Sequence, residues 1–250
     1  MKTFEAEFEK RLDGVIKDAR TAAVFVYTEL TIHQQASVDP TLFGTINKHA
    51  GFWNVIFGSL QSSGIIALGR MYDDDAQTLS LPKLLEYAEN YSGIFSHAAF
   101  QTRKINSGMS PAMAAGMVEN EPPFQQAQLQ PLREEFNAMK KIWDQEFRPI
   151  RHQVFAHAGR LTPQEIDELF GKALFEKIEN LTVFPLRLTN SLWELYTNAR
   201  PIRPYPVATR IPDVLANVPG KIISNLEHEH AVKTTVKFLS DLTTPNPSRE

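Results

Sequence analysis

Residues 132–159 read LREEFNAMKKIWDQEFRPIRHQVFAHAG, and the spacing of their apolar positions decides the fold. Leu132, Phe136, Met139, Trp143, Phe147, Ile150, Val154 and Ala158 recur at intervals of three and four, which lays one apolar stripe along a helix. The alternation that marks a half-buried strand is missing here and along the rest of the chain. Similar spacing returns in Phe52, Ile56 and Leu60, and again in Leu181, Phe184, Leu188, Leu192 and Leu195. Asp39-Pro40, Ser110-Pro111 and Thr162-Pro163 each set a capping side chain before a proline, the residue tolerated at a first helical position. Thr162 and Glu165 have capping-box spacing.

These signals predict helices over about 5–36, 41–72, 81–90, 93–106, 126–158 and 163–198, with a helical turn at about 111–118. Five prolines between Pro201 and Gly220 are expected to break any regular element, and one or two helical stretches close the chain up to about Leu242. The expected fold class is all-α: an up-and-down helical bundle over residues 1–200, then a proline-rich connection and C-terminal extension over 201–250.

A chain of 250 residues with 42% hydrophobic side chains is long enough to bury a substantial core. Its 26 Lys and Arg against 29 Asp and Glu, a net charge of -3, exclude a surface that is basic all over and wraps nucleic acid by bulk charge. Without cysteine there is no disulfide framework, thiolate metal site or cysteine nucleophile. The charged, amphipathic run Met1–Lys10 has no secretory leader pattern, so a cytoplasmic protein is expected. His49–Gly69 is 21 residues without Asp, Glu, Lys or Arg, about a membrane-spanning length. Its polar His49, Asn54, Ser59, Gln61, Ser62 and Ser63 argue instead for a buried helix and no membrane partner.

At about 100° per residue, Arg151 lies roughly 60° to one side of Val154 on the stripe and His157 roughly 60° to the other. His152, roughly 160° away, and Arg148, roughly 120° away, point out of the core. Pro149 removes a helical donor and predicts a kink or a restart; a restart would put Arg151 in a first turn, where a cation calls for an anion beside it. Gly159 as a helix stop would put His157 in the last turn, where the helix dipole favours the imidazolium. A histidine titrating near neutrality serves as general acid or base toward a phosphodiester, and an arginine holds phosphate through a forked hydrogen bond. On spacing alone, both residues equally suit the amphipathic margins of a packing face.

Arg70 and Asp73 stand three apart and can pair on one helix. Asp73-Asp74-Asp75 lacks the glycine and distant glutamate of a calcium loop, and His228-Glu229-His230 lacks the four-residue spacing of a zinc helix. No metal and no cofactor are expected, since phosphate-binding glycine loops, nucleophile elbows and dinucleotide fingerprints are also missing. Residues 131–160 carry a local excess of two positive charges and 187–210 an excess of three. With Tyr196 and Tyr205 these stretches could track a single strand by stacking and charge.

The run Arg151-His152-Gln153-Val154-Phe155-Ala156-His157 resembles the R-x(4 to 6)-H signature of the HEPN superfamily. A second block, Phe52-Trp53-Asn54 leading through Ile66-Ala67-Leu68-Gly69-Arg70-Met71-Tyr72-Asp73 to Leu79-Ser80-Leu81, is similar to the abortive-infection AbiU-like branch. The resemblance covers about Phe4 to Asn198. It implies a homodimer in which two motifs meet across a two-fold axis, and, for active members, metal-independent cleavage of RNA. It implies that Arg151 binds the scissile phosphate, that His157 moves the proton, and that His152 occupies the supporting polar position. It further implies 2′,3′-cyclic phosphate and 5′-hydroxyl products and a defence or toxin–antitoxin setting with an antitoxin or other defence partner. Relatives silenced by adenylylation carry tyrosine two residues after the histidine, where this chain has Gly159. The first reading is thus a HEPN-type endoribonuclease or RNA-binding effector, and a non-catalytic helical interaction or nucleotide-binding module is the alternative.

Overall fold

The computed structural model describes residues 2–74, 78–156, 162, 164–165, 175–202, 207–216 and 226–243. Among them the protein is an all-α helical bundle in which every regular element is helical. In chain order the helices are α1 (Lys2–Val38), α2 (Pro40–Lys48), α3 (Ala50–Tyr72), α4 (Leu81–Asn90), α5 (His97–Asn106), α6 (Pro111–Gly116), α7 (Gln130–Ile142), α8 (Arg148–Ile150), α9 (Phe175–Asn198), α10 (Ile211–Leu215) and α11 (Glu227–Thr243).

Caps start these helices where the sequence places them. The Asp39 carboxylate accepts from the Thr41 N–H at 2.8 Å and the Leu42 N–H at 3.2 Å, and the Ser110 hydroxyl accepts from the Met113 N–H. Thr162 and Glu165 form the reciprocal capping box: the Thr162 N–H donates to Glu165 Oε2 at 2.7 Å and the Glu165 N–H to Thr162 Oγ1 at 3.3 Å. These bonds to the charged form hold the Glu165 carboxyl below its ordinary range.

The structure corrects four expectations. The helix expected over 41–72 is two, broken at His49, whose N–H turns back to Ile46 and Asn47. Gly44 and Gly51 flank the break with open space where a Cβ would stand, so helix propensity is low there and packing does not restore it. The charge-free stretch His49–Gly69 is not a buried helix: Phe52 is 63% exposed and Val55 66%, while Trp53, Ile65 and Leu68 are buried. The proline-rich connection contains α10, because Pro212 falls in its first turn, where no intrahelical N–H is needed. A 3₁₀ turn, Ser92–Phe95, precedes α5, which starts only after Ser96.

The chain forms two compact units, each drawn from three segments. In the unit of residues 1–18, 70–141 and 184–205, Phe8 meets Phe95 edge-on at 5.2 Å and packs at 5.1 Å from Tyr196. Arg103 organises this core: its guanidinium lies 4.0 Å over the Tyr196 ring and donates to Glu5, to the Ile94 carbonyl and to the Tyr196 carbonyl. In the unit of residues 19–69, 142–183 and 206–250, Ile32, Leu42, Trp53 and Leu239 make an apolar cluster. There the Tyr27 hydroxyl donates to the Thr209 carbonyl at 2.6 Å and the buried His228 Nε2 to the Ala208 carbonyl at 2.8 Å, so α1 and α11 hold the 207–209 segment.

Candidate functional site

The motif sits on a helix with unusual backbone. After α7, Trp143–Phe147 is a π turn, α8 supplies a single α turn, and Arg151–Ala156 is again π. The Arg148 N–H bonds the Trp143 carbonyl five residues back, and the Arg151 N–H bonds the Arg148 carbonyl. Pro149, with no N–H, is absorbed by this re-registered bonding. Of the two outcomes expected at Pro149, a kink or a restart, the restart does not occur: Arg148 and Arg151 keep helical dihedrals, and Arg151 stands in mid-helix with no free first-turn amides beside it.

Arg151 is half-buried and lies against the backbone of α3. A Cβ added to Gly69 would stand 2.5 Å from Arg151 Nε, 2.6 Å from Cδ and 2.9 Å from Cζ. Only glycine leaves room for the guanidinium in this position. The two sequence blocks thus meet in space, Gly69 of the first seating Arg151 of the second. Spacing gives Gly69 no role; a glycine inside a helical pattern is its one signal in the sequence.

His152 is exposed, as its phase on the helix predicts. His157 lies outside the described residues, as do Arg160, Arg203 and Tyr205. Arg70 turns to Asp18 of α1, with Nη2 at 2.7 Å and Nε at 3.1 Å from one carboxylate oxygen, so it does not pair with Asp73. Asp74 takes Lys140 at 2.9 Å, giving the acidic turn a cation from the protein itself.

Among the described residues, several cations of the two positive stretches are paired within the fold. Arg133 makes a forked pair with Glu89, at 2.9 and 2.8 Å. Arg187 pairs with Glu135, Arg200 with Glu194 at 3.1 Å, and Arg148 lies 3.5 Å from Asp144. Tyr196 is 6% exposed, donates to Glu9 at 2.8 Å and is covered by Arg103, so it offers no stacking surface to a strand. The expected stacking-and-charge track is therefore not formed at Tyr196; its ring belongs to the core.

His228 is fully buried, and burial pushes its imidazole down to about 4. Its protonated Nε2 faces Ala208, which leaves Nδ1 unprotonated and without a partner. Among the described residues, no group of three His, Asp or Glu side chains is placed to hold a metal ion. No described helix is long and apolar enough to cross a membrane.

Compared with known proteins, residues 1–216 match the HEPN family model described as AbiU2. No curated protein and no solved structure matches the chain.

Proposed function

This chain belongs to the AbiU2 family of HEPN proteins, and from that premise we propose that it is a metal-independent endoribonuclease working in cytoplasmic defence, with Arg151, His157 and His152 forming a composite site in a homodimer. The observation that carries the reading is the seating of Arg151 on Gly69, which joins the two motif blocks in one place. In the proposed reaction Arg151 holds the scissile phosphate and His152 supports it. One His157 takes the ribose 2′-hydroxyl proton while the partner's motif protonates the departing 5′ oxygen. The 2′ oxygen bonds to phosphorus and the phosphorus–5′-oxygen bond breaks, which leaves a 2′,3′-cyclic phosphate and a 5′-hydroxyl.

The homodimer finds support in α3. Its exposed Phe52, Val55 and Ile66 carry no charge, and a second copy of the same face would cover them without burying an unpaired ion. Residues 1–200 are assigned to the HEPN-like bundle and 201–250 to its extension; the family match runs past that boundary to residue 216. A toxin of this kind would be held in check by an antitoxin or other defence partner.

The test is incubation of the purified chain with structured and single-stranded RNA in EDTA. Wild type is expected to cut, and Arg151→Ala and His157→Ala to lose about 100-fold or more in rate, the usual share of a general acid–base group. Equal cleavage by the mutants overturns the assignment. The pairing of Arg133, Arg187 and Arg200 within the protein favours a second reading, a non-catalytic interaction module in which these three arginines serve the fold and not RNA. Wild type that binds a partner but cuts no RNA selects it.

A further inference from the structure

A cavity of about 230 Å³ lies behind the motif helix, in the unit of residues 19–69, 142–183 and 206–250. Ile65 of α3, Phe147 of the first π turn and Ile150 of α8 give it apolar walls. Glu29 and His33 of α1 and Gln61 of α3 face into it, and Phe175 stands exposed beside it. Phe147 and Ile150 are the residues just ahead of Arg151, so the cavity backs directly onto the motif.

The polar groups inside are not matched to one another. The Glu29 side chain is 15% exposed, and among the described residues its sole ionic contact is His33 Nε2 at 3.9 Å, too long for a hydrogen bond. The His33 ring is held elsewhere, stacked on Phe57 at 4.5 Å. Among the described residues, neither the Glu29 carboxyl nor the Gln61 amide has a hydrogen-bond partner. Burial pushes the Glu29 carboxyl up to about 7 and His33 below its ordinary value, so the pair does not settle as a stable ion pair. A buried carboxyl without a partner is costly unless something else supplies the positive charge.

The geometry points to a binding site for a small organic ammonium or amidinium ion, its cationic head on Glu29 and Gln61 and a ring-sized apolar body against Ile65, Phe147 and Ile150. The size is suitable, since an apolar cavity of about 150 Å³ accommodates benzene. A carboxylate that is only an acceptor selects a cationic donor over a neutral or anionic head. The inference does not rest on RNA cleavage, because its readout is binding.

The experiment titrates the full chain with benzylamine, benzyl alcohol and toluene at pH 8 by calorimetry, with thermal unfolding in parallel. Benzylamine is expected to bind and to raise the unfolding temperature, with benzyl alcohol at least tenfold weaker. Glu29→Gln is expected to erase the difference between amine and alcohol. Val26→Phe, which narrows the cavity from α1 and keeps the Glu29 carboxyl in the chain, is expected to weaken both. If benzylamine fails to bind, if the alcohol binds equally well, or if folded Glu29→Gln keeps the preference for the amine, the site is not an ammonium site. Where Glu29→Gln does not fold, Glu29→Asp, which pulls the carboxyl back, must reduce the preference or the proposal falls.

Discussion

Gly69 and Arg151 constrain each other. A side chain at 69 would enter the space of the guanidinium, and the group that must yield is the flexible end of an arginine, not backbone. Gly69→Val is therefore expected to leave the fold standing, at about 1–3 kcal/mol of overpacking cost, while moving Arg151 off its seat. Under the ribonuclease reading, the RNA cleavage rate should fall at least tenfold with the unfolding midpoint lowered by only a few degrees. A full rate in that variant would remove the seat from the site. The sequence made Arg151 visible through its phase beside an apolar stripe, but it could not show Gly69 as its neighbour, because close approach of helices far apart in the chain leaves no periodic trace. Arg70 teaches the same lesson. Local spacing offered Asp73 three residues away, whereas the fold supplies Asp18, 52 positions distant.

Helix identity was legible in caps and periodicity, and α4 begins and ends where its pattern does, Leu81–Asn90. Hydrogen-bond register was not. A phase of 100° per residue holds along α7, but each π turn admits an extra residue, so directions extrapolated past Trp143 drift. The proline that signalled a break is instead spanned by changed bonding. In α3 the polar residues argued against a membrane span, and no described helix is long and apolar enough for one, yet they were read as a buried helix when several of its apolar side chains are open. Polarity alone does not tell a core from a surface awaiting a second copy. Val55→Lys tests which it is. The side chain is 66% exposed, so the monomer should keep its stability to within about 0.5 kcal/mol, while a dimer built on this face should dissociate in size-exclusion chromatography with light scattering. A dimer that persists unchanged places self-association elsewhere.

Across the whole molecule, the net charge of -3 describes a chain in which several cations, Arg70, Arg133 and Arg187 among them, are paired with carboxylates of the same fold, so a count of charges along the sequence does not give the field available to a ligand. Acid response belongs to this scale as well. His228 is neutral when folded, with its ionisation pushed down to about 4 from an ordinary 6.5, so the unfolded chain takes up the proton first as pH falls. Stability should therefore decline as pH falls from about 6.5 to about 4, by on the order of 3 kcal/mol from this residue. His228→Gln keeps a donor for Ala208 and should lose less stability over that interval in thermal unfolding. A variant as acid-sensitive as wild type would assign the loss to other groups. The bond from Tyr27 to Thr209 joins residues 182 positions apart. At about 5–20 residues per second of synthesis, α1 waits roughly 10–40 s after Tyr27 is made before its partner exists. Val26 meets Gly64 of α3 far sooner, so α1 can pack on α3 while the Tyr27 hydroxyl still lacks its final acceptor, and that bond is among the last contacts of α1 to close.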